Sequence, residues 1–154
     1  MIRNILLVLA ATAGFASPAM AGPAEDATAA VTTWMDRFNA GDNAAFIAGH
    51  AVNAVIVDEF GPHLWTGANA PQRWLDDFGK DAAAGAITEP RLDYAAPTRV
   101  SASDNSAYIV LPTIYRMKQG GQAKSAAGTM TFVMTRVGNE WKIASWTYSA
   151  PAPK

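Results

Sequence analysis

One carboxylate lies where it could transfer a proton. Asp58 ends an apolar run in which Ala54 and Ile56 alternate with Val55 and Val57. Alternate residues of a β-strand lie on the same face, so Asp58 points inward if Ile56 does. A carboxylate among apolar walls has a raised pKa, which suits a general base. The alternative is an aspartate at the rim that hydrogen-bonds to a loop.

The two histidines are the next candidates for proton transfer. His63 follows Asp58 by five residues across Gly61 and Pro62, so the two side chains could face each other as a dyad. The alternative for His63 is an exposed loop position. His50 ends a predicted helix, where a positive charge complements the helix dipole, and we assign it no function. These residues lack the spacing of a metal site, so we expect neither a metal nor a cofactor.

The first residues have the three zones of a secretory signal. Arg3 is followed by an apolar stretch over 5–13 and by the small-x-small sequence Ala19-Met20-Ala21. We expect cleavage before Gly22 and a periplasmic or secreted protein. The apolar stretch is shorter than the ~20 residues of a membrane span and is followed by Pro18, so we expect no membrane association once the signal is removed.

Composition limits the remaining functions. The chain has 154 residues, no cysteine, and 12 basic against 13 acidic side chains. Thiol catalysis and thiolate metal sites are therefore excluded. The absence of a basic stripe argues against a nucleic-acid partner. Residues 22–150 suit one domain with one core, followed by an unstructured tail over 151–154.

Three helices are predicted from apolar periodicity and end signals. The first covers Glu25 to Ala40, with an apolar face formed by residues 31, 34, 35 and 38. The second covers Asn43 to His50 and is capped by Asp42. The third covers Ala70 to Ala84 and stops at Gly85.

Strands occupy the rest of the domain. Ala51 to Phe60 predicts one strand, and His63 to Thr66 a short returning strand. From Arg91 onward, turn signals at residues 104–105, 120–121 and 138–139 define four long strands of an antiparallel meander. We expect a bulge at Pro112 in one of them. The element order predicts an α+β fold, with a cone-shaped curved antiparallel sheet wrapped around a long N-terminal helix.

Three segments carry a family resemblance. They are Phe38-Asn39-Ala40-Gly41-Asp42, Val57-Asp58-Glu59-Phe60-Gly61, and the last strand from Glu140 to Ser149. In this order and spacing, the chain resembles the nuclear transport factor 2-like superfamily, which includes SnoaL-like polyketide cyclases and ketosteroid isomerases. The resemblance covers nearly all of residues 25–149 and implies a conical pocket.

The resemblance also implies a role for Asp58. In isomerases of this superfamily, the matching aspartate moves a proton at a carbon next to a carbonyl. Their oxyanion hole combines a tyrosine on the first helix with a protonated acid on the sheet. This chain has Trp34 at the tyrosine position and no Asp or Glu between Asn105 and Asn139. The isomerase set is therefore incomplete.

Two functions from different classes follow. The first is an exported binder of a small, mostly apolar molecule, with a pocket lined by Trp34, Ile56, Trp65, Tyr115 and Trp146. The second is a lyase or isomerase in which Asp58, with or without His63, is the catalytic group. A purely structural subunit is the third alternative. Apolar residues on both faces of the later strands, among them Val133 and Val137, also predict a homodimer through the outer face of the meander.

Overall fold

The computed structural model describes residues 22–151. The predicted signal segment 1–21 and the residues 152–154 of the predicted tail lie outside this range. None of the helices within residues 22–151 combines the length and the hydrophobicity that a membrane span requires.

The long first helix, α1, spans Pro23–Asn39. Pro23 occupies the first turn, where no N–H partner is needed, and Gly41 follows the helix with φ 71°. Val31, Trp34 and Met35 are buried, which confirms the predicted apolar face.

Two further helices cover one end of the sheet. α2 spans Asn43–Ala48, and Asp42 caps it by accepting a 3.0 Å hydrogen bond from the backbone N–H of Ala45. It ends two residues earlier than predicted. α3 spans Ala70–Ala84 as predicted, with Pro71 in its first turn.

One curved sheet forms the rest of the domain. Its strands are β1 (His50–Val57), β2 (Leu64–Thr66), β3 (Ile87–Tyr94), β4 (Arg99–Ala102), β5 (Ser106–Gln119), β6 (Gln122–Val137) and β7 (Glu140–Ser149). The strand order is β2-β1-β7-β6-β5-β3, and β4 also pairs with β5. The α+β class and the three predicted meander turns are confirmed. The sheet is mixed, however, because β1 pairs in parallel with β7.

The expected bulge at Pro112 is wrong. Pro112 pairs in unbroken register with Thr129 on β6. Its carbonyl accepts a 3.0 Å hydrogen bond from the N–H of Ala95, on the side where β3 has ended and β4 has not begun. A residue's N–H and C=O point to the same side of a strand, so the N–H that proline lacks would face this gap. The predicted first strand of the meander is thus two strands, β3 and β4. A register shift does occur between β6 and β7, and it lies between Val133 and Met134.

The core lies between α1 and the concave face of the sheet. Aromatic rings fill its centre, with Trp34 against Phe46 and Phe132, and Trp74 stacked on Phe46 at 5.2 Å between ring centroids. This packing leaves one end of the cone open.

Candidate functional site

An open cavity of about 330 Å³ occupies that end of the cone. Its walls come from all three helices, from the turn after β1 and from strands β3, β5, β6 and β7. The lining residues are Trp34, Phe38, Phe46, Asp58, Glu59, Phe60, Trp74, Phe78, Asp81, Ala82, Ile87, Leu92, Tyr115, Met117, Ala126, Met130, Trp146, Tyr148 and Ala150. Glu59 and Asp81 are exposed and mark the rim, whereas Trp34, Phe46 and Trp146 are buried and form the floor.

The two indole N–H groups of the floor are already bonded. Trp34 donates to the carbonyl of Phe46 at 3.1 Å, and Trp146 donates to Nε2 of His50 at 3.0 Å. Trp34 stands where the resemblance to the isomerases implies a tyrosine, but its only side-chain donor is directed into the protein. It therefore offers no hydrogen bond to a bound molecule.

His50 lies beneath this floor as a neutral side chain. It is the first residue of β1, not the end of a helix, and only 8% of its surface is exposed. Burial lowers the pKa of His50 to about 4. Nδ1 lies 2.9 Å from the carbonyl of Phe46, and Nε2 accepts from Trp146, so the bonds assign the proton to Nδ1. The prediction that a positively charged His50 complements the dipole of a helix is thus wrong.

Asp58 lies in the cavity wall immediately after β1. Oδ2 accepts a 3.0 Å hydrogen bond from Trp74 Nε1, and Oδ1 accepts a 2.7 Å bond from the N–H of Glu59. Burial raises the pKa of Asp58 to about 6; the two bonds oppose this shift, and the charges of Glu59 and Asp81 add to it. Asp58 can therefore change its protonation state near neutral pH.

The structure does not bring His63 into the cavity. Its backbone is left-handed, with φ 71°, and Nδ1 lies 3.1 Å from the main-chain carbonyl of Asp58. The ring is exposed and is not among the lining residues. The side chains of Asp58 and His63 therefore do not form the expected pair, because the turn directs the His63 ring to the main chain.

Two tyrosines supply hydroxyl groups to the cavity wall. Tyr115 on β5 and Tyr148 on β7 both have a pKa raised to about 12, chiefly by burial, so both stay protonated at neutral pH. The Tyr115 hydroxyl is buried and has no hydrogen-bond partner among the described residues. Tyr148 packs on Gly128, where a Cβ would lie 2.7 Å from its ring.

Three predicted lining residues reach the cavity and two do not. Trp34, Tyr115 and Trp146 line it. Ile56 is fully buried in the core on the same face of β1 as Asp58. Trp65 is buried behind Phe60 and donates to Asp77 on α3 at 3.0 Å. β2 thus fastens the sheet edge to α3 and contributes nothing to the cavity.

Sequence reasoning missed the contribution of α3 to the site. Trp74 holds Asp58, while Phe78 stacks on Trp74 with ring centroids 5.0 Å apart. Asp81 and Ala82 complete this wall. The spacing of 74, 78, 81 and 82 along the helix is the signal that places these residues on one side of it.

No group of three or more histidine or acidic side chains within residues 22–151 is arranged to hold a metal ion. The groups that line the cavity include one carboxylate with a raised pKa, two neutral phenols and an aromatic surface.

Comparison with solved structures shows the same fold. A ketosteroid isomerase-like protein from Erwinia carotovora atroseptica aligns with a TM-score of 0.66 at 18% identity, covering 84% of this chain and 97% of that chain. An NTF2-like protein with a cystatin-like fold from Novosphingobium aromaticivorans aligns with a TM-score of 0.68 at 12% identity, covering 86% and 84%. A CaMKII hub from S. rosetta aligns with a TM-score of 0.68 at 16% identity, covering 86% and 99%.

Sequence comparison shows the family. No curated protein matches the chain. The model of the SnoaL-like domain family matches residues 27–153, which is most of the chain. Together with the fold of its structural neighbours, this match shows that the chain belongs to the SnoaL-like domain family, within the nuclear transport factor 2-like superfamily.

Proposed function

We propose that this domain binds a small, mostly apolar molecule in the cavity. The observation that carries the proposal is an open aromatic cavity of about 330 Å³, whose wall includes Tyr115, a residue with a buried hydroxyl that has no hydrogen-bond partner within residues 22–151. Apolar walls with a few polar groups are typical of small-molecule sites. Protein interiors are otherwise close-packed, so an empty cavity lacks van der Waals contacts that a bound molecule would supply.

The proposal predicts that filling the cavity abolishes binding. Ala82 lies in the wall, whereas the adjacent Ala83 is exposed and outside it. We expect phenylnaphthylamine, an uncharged fluorescent probe, to gain fluorescence with the wild-type protein and with Ala83→Phe. Ala82→Phe should bind it at least about tenfold more weakly, because one buried ring occupies the space of the probe.

Equal binding by the two phenylalanine variants would contradict the proposal, since the probe would then lie elsewhere on the protein. Circular dichroism of Ala82→Phe is the control for folding.

A second function is a lyase or isomerase in which Asp58 is the general base. The raised pKa of Asp58 and the neutral hydroxyl of Tyr115 favour it, because proton abstraction beside a carbonyl needs a base and a donor to the developing oxyanion. The donor would come from β5 and not from α1, where Trp34 is bonded to Phe46. His63 takes no part in this version of the reaction.

Assembly and export belong to the same proposal. The outer face of the sheet exposes Tyr108 and Val133, which are cross-strand neighbours, and one structural neighbour is a hub domain. We expect a homodimer through this face. Sedimentation at tens of micromolar should show a dimer for the wild type and a monomer for Val133→Glu; a wild-type monomer would contradict the expectation.

The signal-like sequence before Gly22 supports export to the periplasm or medium. The mass of protein recovered outside the cytoplasm tests it, and a chain that still begins at Met1 would contradict it.

A further inference from the structure

The charges around the cavity are all of one sign. Among the described residues that line the cavity, the charged ones are Asp58, Glu59 and Asp81, and none is Lys, Arg or His. The carboxylates come from two separate elements, the turn after β1 and α3. Their mutual repulsion contributes to the raised pKa of Asp58. A negatively charged ligand would add to this repulsion, whereas a cation would relieve it.

The apolar part of the wall suits a cation as well. Nine lining residues are aromatic: Trp34, Phe38, Phe46, Phe60, Trp74, Phe78, Tyr115, Trp146 and Tyr148. The face of an aromatic ring attracts a cation within about 6 Å of its centre, and most strongly when water is excluded. Trp74, the residue bonded to Asp58, stacks on Phe78, so the carboxylate lies at the edge of an aromatic surface.

The hydroxyl of Tyr115 is a further polar group in the cavity wall. It is one of four buried side-chain polar atoms without a hydrogen-bond partner among the described residues, and such atoms are rare in folded proteins. It lies close enough to Asp58 and Asp81 for their charges to raise the pKa of its phenol.

We propose that the ligand of this cavity is a protonated amine attached to an apolar, ring-sized body. The ammonium would bind at Asp58, with Asp81 and Glu59 at the rim, and the body would lie on the aromatic floor. This inference rests on the proposed binding function and names the chemical class of the ligand.

The proposal carries a pH dependence with a defined sign. Asp58 loses its charge as the pH falls through about 6, so the affinity for an amine should fall below that pH. The groups that face it are Glu59 beside it, Asp81 and Trp74 on α3, Tyr115 on β5 and Tyr148 on β7. The tyrosines remain protonated throughout this range. The affinity for an uncharged ligand of the same shape should not fall in this way.

The experiment compares three probes of one shape, namely naphthylmethylamine, naphthalenemethanol and naphthoate, by calorimetry at pH 7.5. We expect the amine to bind at least about tenfold more tightly than the alcohol, as one charge-assisted hydrogen bond requires, and naphthoate to bind most weakly. An alcohol that binds as tightly as the amine would overturn the amine inference and leave the proposed function intact. Binding of none of the three would overturn both.

Two aspartate variants locate the effect. Asp58→Asn should lower the affinity for the amine at least about tenfold and that for the alcohol by clearly less, because only the amine loses an ion pair. Circular dichroism of the variant is the control for folding. Asp76→Asn is the matched control, because Asp76 is exposed on α3 outside the wall and bonds only to Gln72 among the described residues. An equal loss of amine affinity in both variants, or no loss in Asp58→Asn, would overturn the inference.

Discussion

Acidification from pH 7 to pH 4 is expected to cost the folded state about 3 kcal/mol through His50 alone. The pKa of His50 is about 4 in the folded protein and 6.5 in its unfolded reference, and each unit of difference is worth about 1.4 kcal/mol. A histidine that is buried neutral binds its proton more readily in the unfolded chain. Its stabilising contribution is therefore complete above pH 6.5 and is lost as the pH falls towards 4.

Burial is the main reason that protonation of His50 is unfavourable, and the bond from Trp146 adds to it. Nε2 accepts the indole N–H of Trp146 at 3.0 Å, while Nδ1 faces the carbonyl of Phe46. A protonated ring would place two donors, Nε2–H and the Trp146 N–H, against each other in a buried site. The floor of the cavity therefore depends on a neutral His50.

Urea unfolding of the wild type and of His50→Gln between pH 7 and pH 4 measures this contribution. Glutamine can still accept a hydrogen bond from Trp146 but does not titrate. The free energy of unfolding of the wild type should therefore fall by about 3 kcal/mol relative to that of His50→Gln between pH 7 and pH 4. Taking the difference at each pH removes the contribution of Asp58, which has the opposite sign. Parallel curves for the two proteins would contradict the prediction.

Local signals explain how much of the fold could be predicted. α3 was predicted at the bounds that the structure shows, because Pro71, the apolar spacing and Gly85 all act within a few residues of the helix. The Asp42 cap and the three turns of the meander are local in the same sense. By contrast, the parallel pairing of β1 with β7 joins segments about ninety residues apart, and no short pattern encodes it.

The candidate site shows a different limit. Alternation along β1 relates Asp58 to Ile56, but alternation alone does not separate a filled core, where Ile56 lies, from the cavity, where Asp58 lies. The same ambiguity applies to Trp74, because helical spacing indicates an inward face without showing that the face borders empty space. The left-handed backbone of His63, in a residue that does not require it, could not be predicted from the sequence either.

Asp58→Asn is expected to raise the free energy of unfolding at pH 7 by about 2 kcal/mol. The pKa of Asp58 is about 6 in the folded protein against 3.8 in its unfolded reference, so the ionised carboxylate opposes folding by about 3 kcal/mol above pH 6. Asparagine removes this charge but has one side-chain oxygen for two donors, Trp74 Nε1 and the Glu59 N–H. The lost bond costs about 1 kcal/mol and reduces the gain.

The pH dependence identifies the cause of this gain. For an acid whose pKa is raised by folding, the unfavourable term is present above the folded value and disappears as the pH falls to the unfolded value. The stability advantage of Asp58→Asn should thus vanish near pH 4, where wild-type Asp58 is protonated in the folded state.

Carboxyl titration by NMR should give a pKa near 6 for Asp58, and Glu59→Gln should lower that pKa because the charge of Glu59 contributes to it. A titration at or below 3.8, together with a loss of stability in Asp58→Asn at pH 7, would show that Asp58 is a solvated, hydrogen-bonded rim residue. Both the amine site and the general base would then lose their central group. A pKa near 6 would also allow Asp58 to act as a general base. In that case the wild-type protein, but not Asp58→Asn, should catalyse the exchange of the α-protons of an enolisable ketone with solvent.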